Sequence, residues 1–406
     1  MADQLDISAL TNDIYVAADV VGRELNGFIP SVTMNASSAQ ASRGDTIKAA
    51  FTRSAQAADI VERMDIQEAD FGVTVDSKSL TLNKARRVQI PLGGEDTRQL
   101  QNTGQYASVY GDLITQAMRT LANEIEVEIA TNLKQNASYA TGTQGTTPFV
   151  VGSATESGVE ELLKARKVLV DSGMPTDDVS AVLNTAAGAN IRSNLRLLDQ
   201  GFSNSGNLRD QGILIPIAGI NLRESGNITA HTAGTAAATG LIKAVDNAGS
   251  TSILIDSLDD GGTILAGDIL ETNTQDAGDA IYSVVGAESA GDFTYTAGSA
   301  GSGANELTVN LNGGLKLPTA DNEEVRFLDY TPNFVFHRAA CELAMRAPAM
   351  PLGGDMASES ITVQDPHSGL VFQVSTYRGY HKSMIEVAAV FGVKVWKGDF
   401  VHTILG

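Results

Sequence analysis

The stretch QYASVYGDLITQAMRTLANEIEVEIATNLKQN, residues 105–136, carries the longest helical pattern in the chain. Its apolar side chains recur every three or four positions and form one stripe, made of Tyr106, Tyr110, Leu113, Ala117, Leu121, Ile125, Ile129 and Leu133. After Gly111 the stretch contains neither glycine nor proline, so no residue in it interrupts a helix. The spacing predicts a single amphipathic helix that is longer than the usual helix of a globular protein.

Upstream of this stretch the sequence predicts a shorter helix, a strand and a hairpin. Residues 11–30 place apolar side chains at helical steps, followed by Asn26-Gly27 and Pro30; these side chains are Ile14, Ala17, Val21, Leu25 and Phe28. Residues 45–53 have a strand pattern. Residues 71–92 alternate apolar and polar positions around Asp76-Ser77-Lys78, which predicts a long hairpin with its turn at those three residues. A two-stranded ribbon is marginally stable in water, so we expect this hairpin to lie on another surface.

Downstream, the composition changes between residues 225 and 330. Helix and strand patterns alternate from 158 to 222, but residues 225–330 hold 15 Asp and Glu against 3 Lys and Arg, and 15 of the 40 glycines. Seven short strand-like runs separated by turn residues predict a small antiparallel β-barrel. Mixed patterns resume after residue 330, so we interpret the acidic region as a domain inserted into another one. The predicted fold class is α+β.

The bulk properties exclude several classes of protein. The 406 residues are 43% apolar and 19% charged, which is typical of a folded globular chain. The net charge of −20 disfavours sequence-specific binding of nucleic acid, whose phosphates it would repel. Cys341 is the only cysteine, so no disulfide forms within the chain. The first residues lack a secretion signal and the longest apolar run, residues 213–222, is half a membrane span, so we expect a cytosolic product with no membrane segment.

Motifs with a known catalytic or metal-binding mechanism are scarce. The sequence has no P-loop, no G-x-G-x-x-G, no H-E-x-x-H and no paired C-x-x-C. His337 and Cys341 would share a helix face as two metal ligands, but no nearby residue completes the four that structural zinc requires. Asp365, His367 and Ser368 are neighbours in a Pro-Gly turn, which does not give the geometry of a catalytic triad. We therefore expect no enzymatic activity, no metal and no cofactor.

The basic residues of this acidic chain are the remaining candidates for a functional surface. Lys84, Arg86 and Arg87 form its densest basic stretch. They either keep a strand edge solvated or pair with an acidic surface on another copy of the chain, and the sequence weighs the two alternatives equally. Arg338 and Arg346, which the pattern places on a C-terminal helix, are either surface charges or partners of another subunit.

The order of these parts, together with four stretches of sequence, resembles a known family. The stretches are VVGRELNGFIPSVTMN (20–35), FHRAACELAMRAPAMPLGGD (336–355), TVQDPHSGLVFQV (362–374) and YRGYHKSMIEVAAVFGVKVWK (377–397). They resemble the major capsid (coat) proteins of tailed phages with the Hong Kong 97-like fold, and in particular the short-tailed Salmonella-phage type with its insertion domain. The resemblance spans almost the whole chain.

The resemblance implies a structural protein whose copies form hexamers and pentamers of an icosahedral shell around double-stranded DNA. It implies a virion location, with host cytoplasm during assembly, and a scaffolding protein and a portal as partners. Its parts would be an N-terminal arm (1–44), a strand and extended loop (45–100), a spine-helix region (101–224), the insertion domain (225–330) and a closing segment (331–406). Contact with neighbouring subunits is then expected at Lys78, Lys84, Arg86, Arg87, Arg338 and Arg346. Some members cross-link a loop Lys to an Asn, but no partner matches Lys78 or Lys84, so that chemistry is not carried over.

Two other classes remain as alternatives. One is a calcium-binding surface or adhesin-like β protein, with Asp256, Asp259 and Asp260 as oxygen ligands, although no EF-hand spacing supports it. The other is a cytosolic hydrolase with an unrecognised site. Only the capsid hypothesis predicts that the purified chain forms uniform closed shells.

Overall fold

The computed structural model of the chain describes residues 7–24, 27–52, 75–103, 106–150, 159–194, 214, 216–236, 240–272, 281–286, 293–294, 306–327, 329–365 and 368–406. The α-helices in them are α1 (Ile7–Glu24), α2 (Gly94–Thr103), α3 (Tyr106–Asn136), α4 (Glu160–Asp171) and α5 (Thr185–Ser193). The strands are β1 (Thr33–Ala41), β2 (Thr46–Thr52), β3 (Val75–Thr81), β4 (Lys84–Gly93), β5 (Tyr139–Thr141), β6 (Val179–Leu183), β7 (Ile220–Glu224), β8 (Leu241–Ile242), β9 (Ser252–Asp256), β10 (Thr263–Ile264), β11 (Ile269–Thr272), β12 (Tyr282–Val284), β13 (Phe293–Thr294), β14 (Leu307–Asn310), β15 (Val325–Phe327), β16 (Asn333–His337), β17 (Cys341–Pro348), β18 (Ala357–Gln364), β19 (Val371–Gly379), β20 (Lys382–Val395) and β21 (Val401–Ile404). The fold is mixed α+β, as predicted.

Helix α3 confirms the long helix predicted from residues 105–136. Its buried face comprises Tyr110, Ile114, Ala117, Met118, Leu121, Ala122, Ile125, Glu126, Ile129, Ala130 and Leu133. Leu113, which the stripe included, is 37% exposed, and Ile114 faces the core instead. Helix α1 packs along α3. Ile14, Ala17 and Val21 of its predicted stripe are buried, whereas Leu25 lies outside the described residues.

A six-stranded sheet packs against α3. Its main path is β1-β17-β20-β19-β18, and β4 adds to β20. Strand β4 pairs antiparallel with β20 along ten residue pairs, from Gly93 opposite Lys382 to Lys84 opposite Phe391. Ile90 and Leu92 of β4 are buried in the core that also contains the apolar face of α3. Strand β4 is therefore part of the body of the molecule.

An eight-stranded sheet lies between α3 and α4. Its order is β15-β11-β12-β5-β21-β16-β6-β7, with β21 parallel to β5 and antiparallel to β16. Because side chains alternate along a strand, Phe334 and Phe336 of β16 pack in the core of α3, and Val335 packs in the core of α4. The sheet thus separates two apolar cores.

Strands of the acidic region form a closed ring. The antiparallel pairings run β8-β9-β14 and β12-β11-β15, and two single bridges, Val285 to Leu311 and Leu241 to Glu324, join the two runs at both ends. Inside lies a separate hydrophobic cluster made of Ala236, Ile242, Ile253, Ile255, Leu258, Ile264, Leu270, Val285, Leu307, Val309, Leu311, Leu315 and Val325. The seven predicted strand-like runs all contain strands. Strand β12 also pairs with β5, so three strands of the ring, β11, β12 and β15, also belong to the eight-stranded sheet. The boundaries 225 and 330 of a separate domain remain a prediction.

The predicted hairpin 71–92 is wrong in its pairing and in its turn. Asp76-Ser77-Lys78 lies inside β3, and only Leu82-Asn83 separate β3 from β4. Strand β3 pairs with β2 and not with β4, so the actual ribbon joins residues 46–52 to residues 75–81. Three consecutive polar residues are typical of a turn, but strands of a ribbon also carry polar residues, and here all three lie within a strand. Val73 lies outside the described residues.

The helix predicted around Arg338 and Arg346 is also wrong. Residues 341–348 form β17, which pairs parallel with β1 and antiparallel with β20. Arg338 lies in a short 3-10 turn, residues 338–340, between β16 and β17. Sheet pairing on both sides of β17 outweighs the helix propensity of its Ala, Leu, Met and Arg residues.

Candidate assembly surface

The ribbon, which we define as β2 and β3, pairs with no other strand in the described part of the chain. Seven residue pairs join its strands, from Thr46 opposite Thr81 to Thr52 opposite Val75. Residues 53–74 connect its far end and lie outside the described residues. Near the root of the ribbon buried and exposed side chains alternate, because Leu80 and Leu82 are buried whereas Ser79 and Thr81 are exposed. The ribbon is therefore packed on one face at its root.

The root of the ribbon is fixed to the six-stranded sheet. The backbone N–H of Gly44 donates to the carbonyl of Leu82 at 2.8 Å, and the N–H of Leu82 donates to the carbonyl of Asp45 at 2.9 Å. Leu80 and Leu82 form a small apolar cluster with Ala344 and Val390 of the sheet. This cluster is distinct from the larger cores around α3 and α4.

Gly392 of β20 allows the root to approach the sheet closely. A Cβ at this position would meet the carbonyl oxygen of Thr81 far inside van der Waals contact and would lie 3.1 Å from the Cα of Leu82. Lys394 reinforces the crossing, since its Nζ donates to the carbonyl of Ser79 at 2.7 Å. The absence of a side chain at residue 392 is thus a condition for the crossing of the ribbon over β20.

Two of the predicted contact residues pair with the long helix of the same chain. Lys84 Nζ lies 3.4 Å from Glu128 Oε2, and Arg86 Nε lies 2.6 Å from Glu124 Oε1. Both glutamates are on α3, so the two ion pairs join the start of β4 to the middle of that helix. The side chain of Arg86 is 49% exposed, so this pair is open to solvent and adds little stability.

Lys78 and Arg87 also have partners in the chain. Arg87 lies 3.2 Å from Glu386 of β20, with a side chain that is 64% exposed. Lys78 Nζ donates to the carbonyl of Trp396 at 3.3 Å and lies 5.8 Å from the centre of the Trp396 ring. The contacts of these residues with a neighbouring subunit stay a prediction.

Arg346 and Arg338 occupy different environments. Arg346 donates to the backbone and side-chain oxygens of Asn35 at 2.6 and 3.0 Å, which ties β17 to β1. Arg338 is exposed and donates to the carbonyl of Val32 at 3.4 Å. Burial lowers the pKa of Arg223, and the positive charge of Arg338 lowers it further. In the described part of the chain no ion pair joins Arg338 to a carboxylate.

The alternatives left open by the sequence find no site among the described residues. They contain no group of three or more His, Cys, Asp or Glu side chains that would hold a metal ion, so Asp256, Asp259 and Asp260 form no such group. Cys341 is fully buried, and burial, with a smaller effect of Glu342, raises the pKa of its thiol to about 12. His337 and Cys341 are not on a helix, and His367 lies outside the described residues. No described helix is long and apolar enough to cross a membrane.

Sequence reasoning missed three residues that organise the chain. Gly392 permits the ribbon to cross β20. Asp268, fully buried, accepts a hydrogen bond from His231 Nε2 at 2.7 Å. Glu126 is 4% exposed on α3 and joins segments that are distant in sequence. Of the three, only Glu126 could have been found from the sequence: it lies one helical turn from Ala122 and from Ala130, so the pattern places a charged residue on the apolar side of a helix.

No protein-family model matches the sequence, and no curated protein matches it. Among solved structures, the chain is similar to a protein of Mycobacterium phage Che8, with 13% identity over 89% of this chain and 84% of that one, at a TM-score of 0.42. It is similar to a chain in the capsid of cyanophage P-SCSP1u, with 10% identity over 94% and 88% of the two chains, at a TM-score of 0.46. A chain in the mature capsid of bacteriophage PhiM1 is similar at 10% identity, over 94% and 87%, with a TM-score of 0.43.

Proposed function

We propose that this chain is a structural protein whose copies assemble into a closed shell. The observation that carries the proposal is the ribbon, whose root is fixed to the six-stranded sheet and whose two strands pair with no other described strand. A two-stranded ribbon is at best marginally stable in water without a surface to cover it. A neighbouring copy supplies such a surface, and head-to-tail contacts of this kind close into rings and lattices.

In its finer form the proposal is a tailed-phage major capsid protein with the Hong Kong 97-like fold, of the short-tailed Salmonella-phage type. Helix α3 is then the spine helix, and the ribbon, at 46–81 and not at 71–92, is the extended loop. The ring is the insertion domain. Hexamers and pentamers of the chain would form an icosahedral shell in the virion, assembled in the host cytoplasm with a scaffolding protein and a portal, around double-stranded DNA bound without sequence specificity.

The charges of the chain are consistent with this arrangement. Residues 225–330 carry −12 of the net −20, which suits an outer surface that stays soluble and repels other polyanions. Arg338 is exposed, so its positive charge is accessible to an acidic side chain of a neighbouring copy. We propose Lys78, Lys84, Arg86, Arg87, Arg338 and Arg346 as contact candidates, with Arg338 first because it has no carboxylate partner among the described residues.

The test is a chain whose ribbon is shortened by replacing residues 50–77 with a short glycine-containing turn. This variant keeps Leu80, Leu82 and all of β4, so it retains the cluster at the root and the sheet. We expect the unmodified chain to form uniform round particles in negative-stain microscopy. The shortened chain should remain folded by circular dichroism and stay small in size-exclusion chromatography. Shells of normal size from the shortened chain would contradict the proposal.

A further inference from the structure

Glu126 holds two segments of the chain that are far apart in sequence. Its Oε1 accepts the backbone N–H of Phe28 at 3.0 Å, and its Oε2 accepts the hydroxyl of Ser225 at 2.7 Å. Asn227 Nδ2 adds a longer bond to Oε2, at 3.3 Å. The carboxyl group lies on a 31-residue helix, so its position is set by the whole of α3. We call this group of residues the Glu126 junction.

Each of the two segments leads to a different part of the molecule. Residues 27–31 join α1 to β1, and Phe28 anchors them through an edge-to-face contact with Phe334, with ring centres 5.7 Å apart. Residues 225–228 leave β7 and lead to the ring, and the N–H of Ser225 donates to the carbonyl of Leu183 at 3.0 Å. The junction therefore stands between the N-terminal helix and the start of the acidic region.

The carboxyl group has close contacts on both sides. A Cβ on Gly27 would lie 2.5 Å from Oε2 and 2.6 Å from Oε1, so Gly27 brings the backbone directly against it. The donors described here, an amide, a hydroxyl and a side-chain amide, are all uncharged. In the described part of the chain no Lys, Arg or His pairs with Glu126. The burial of such a carboxyl group is tolerated because hydrogen bonds replace its contacts with water. Residues 27–31 and residues 225–228 cover the same carboxyl group, so each segment keeps water away from the bond that the other segment makes.

We propose that Glu126 couples the docking of residues 27–31 to the docking of residues 225–228. When one segment leaves, water reaches the carboxyl group and competes for the bond that remains, so the second segment is held less firmly. By linkage the effect is reciprocal: loosening either segment loosens the other. A movement of α1 therefore changes how firmly residues 225–228, which lead from β7 to the ring, are held. This coupling does not depend on the proposed function.

Hydrogen–deuterium exchange of the full chain tests the coupling. In Ser225→Ala the contact of Phe28 with Glu126 is left in place, yet we expect exchange at residues 27–31 to become about threefold faster or more, together with exchange at 225–228. Ser193→Ala is the matched control, because that hydroxyl donates within its own helix to Asn190, and it should leave both segments unchanged. If Ser225→Ala unfolds the chain, Asn227→Ala serves in its place, because it removes the longer bond to Glu126 together with a bond of the same length from Nδ2 to Asn123 Oδ1.

The reciprocal experiment starts from the other segment. Phe28→Leu weakens the anchor of residues 27–31 and should accelerate exchange at residues 225–228 by a similar factor. Phe372→Leu, at an equally buried phenylalanine of β19, is its control. Faster exchange confined to the mutated segment in both experiments would show that the two docking events are independent and would overturn the proposal. No change at either segment in Ser225→Ala would overturn it as well.

Discussion

His231 and Tyr330 exchange two backbone hydrogen bonds, with the N–H of His231 2.7 Å from the carbonyl oxygen of Tyr330 and the reverse bond at 3.1 Å. The chain therefore enters and leaves the acidic region at one place. His231 and Tyr330 thus lie side by side near the two ends of residues 225–330. The same place is fixed by side chains, because the hydroxyl of Tyr330 donates to the carbonyl of Gly267 at 2.7 Å and His231 bonds to Asp268.

Removal of Asp268 should destabilise the chain strongly. Its carboxyl group is fully buried and accepts from His231 Nε2 and from the backbone N–H groups of Gly234 and Leu265. Asp268→Ala leaves these donors buried without an acceptor, so we expect the free energy of unfolding to fall by about 3–5 kcal/mol. Urea denaturation measures it. Asp321→Ala, at an exposed position, should stay within about 0.5 kcal/mol of the unmodified chain. A loss below about 1 kcal/mol for Asp268→Ala would be inconsistent with this role.

A side chain at residue 392 should displace the ribbon. Gly392→Ala places a Cβ against the carbonyl oxygen of Thr81, where two backbones cross, so one of them must shift. We expect a loss of about 1–3 kcal/mol in the free energy of unfolding and, under the proposed function, fewer or irregular shells. At Gly94 an added Cβ would lie 3.6 Å from the carbonyl oxygen of His381, which is ordinary van der Waals contact, so Gly94→Ala is the control. Equal stability and equal shells for the two variants would show that the crossing is not tight.

Reversing the charge of Arg86 should destabilise the chain in a salt-dependent way. Arg86→Glu places a carboxylate beside Glu124 on α3 and replaces attraction by repulsion. Both side chains are partly exposed, so the loss should be about 1 kcal/mol or less, and it should shrink as salt screens the repulsion. The double variant Arg86→Glu with Glu124→Arg should recover stability. If the loss is the same at low and high salt, packing of the arginine side chain is responsible.

His402 should make the chain less stable in acid. Burial, with a smaller contribution from the charge of Lys316, lowers the pKa of His402 to about 3, and its Nε2 bonds to Thr141 Oγ1 at 3.0 Å. The unfolded chain takes up this proton near pH 6.5, whereas the folded chain does so only near pH 3. Its contribution to stability is therefore complete above about pH 6.5 and is lost as the pH falls toward 3, by up to about 1.4 kcal/mol per pH unit. In His402→Gln the fall in unfolding free energy from pH 7 to pH 4 should be smaller. His381→Gln, at an exposed histidine, should keep the original fall, and an unchanged fall in His402→Gln would refute the assignment.

The elements with strong periodicity were predictable from the sequence, and the pairing between elements was not. The stripe in residues 105–136 gave α3 because no glycine or proline after Gly111 competes with the helix. The short runs between 240 and 327 gave the strands of the ring because turn residues separate them. In contrast, the partner of β3 is β2, on the far side of residues 53–74, and local alternation holds no information about a partner at that distance.

The candidate surface was predictable in part, for a related reason. Basic residues in the stretch from Lys84 to Arg87 stand out by composition, but their acidic partners on α3 and β20 follow only from the fold. The segment around Arg346 has the composition of a helix and becomes a strand because β1 and β20 flank it. Gly392 had no signal, since only the crossing of Thr81 shows why a side chain is excluded there.

The central position of β21 in the eight-stranded sheet fixes an order of events during synthesis. Residues 401–404 lie between β5 and β16, yet the ribosome makes them after every other strand of that sheet. Until residues 401–404 emerge from the ribosome, β5 and β16 each present an unpaired edge. Nascent chains on ribosomes that translate the same mRNA can associate through such edges. All strands of the ring are synthesised before residues 401–404, so the acidic region can fold before the eight-stranded sheet is complete. Closure of the sheet is thus governed by contacts that are distant in sequence, which makes it slow relative to the local folding of α3.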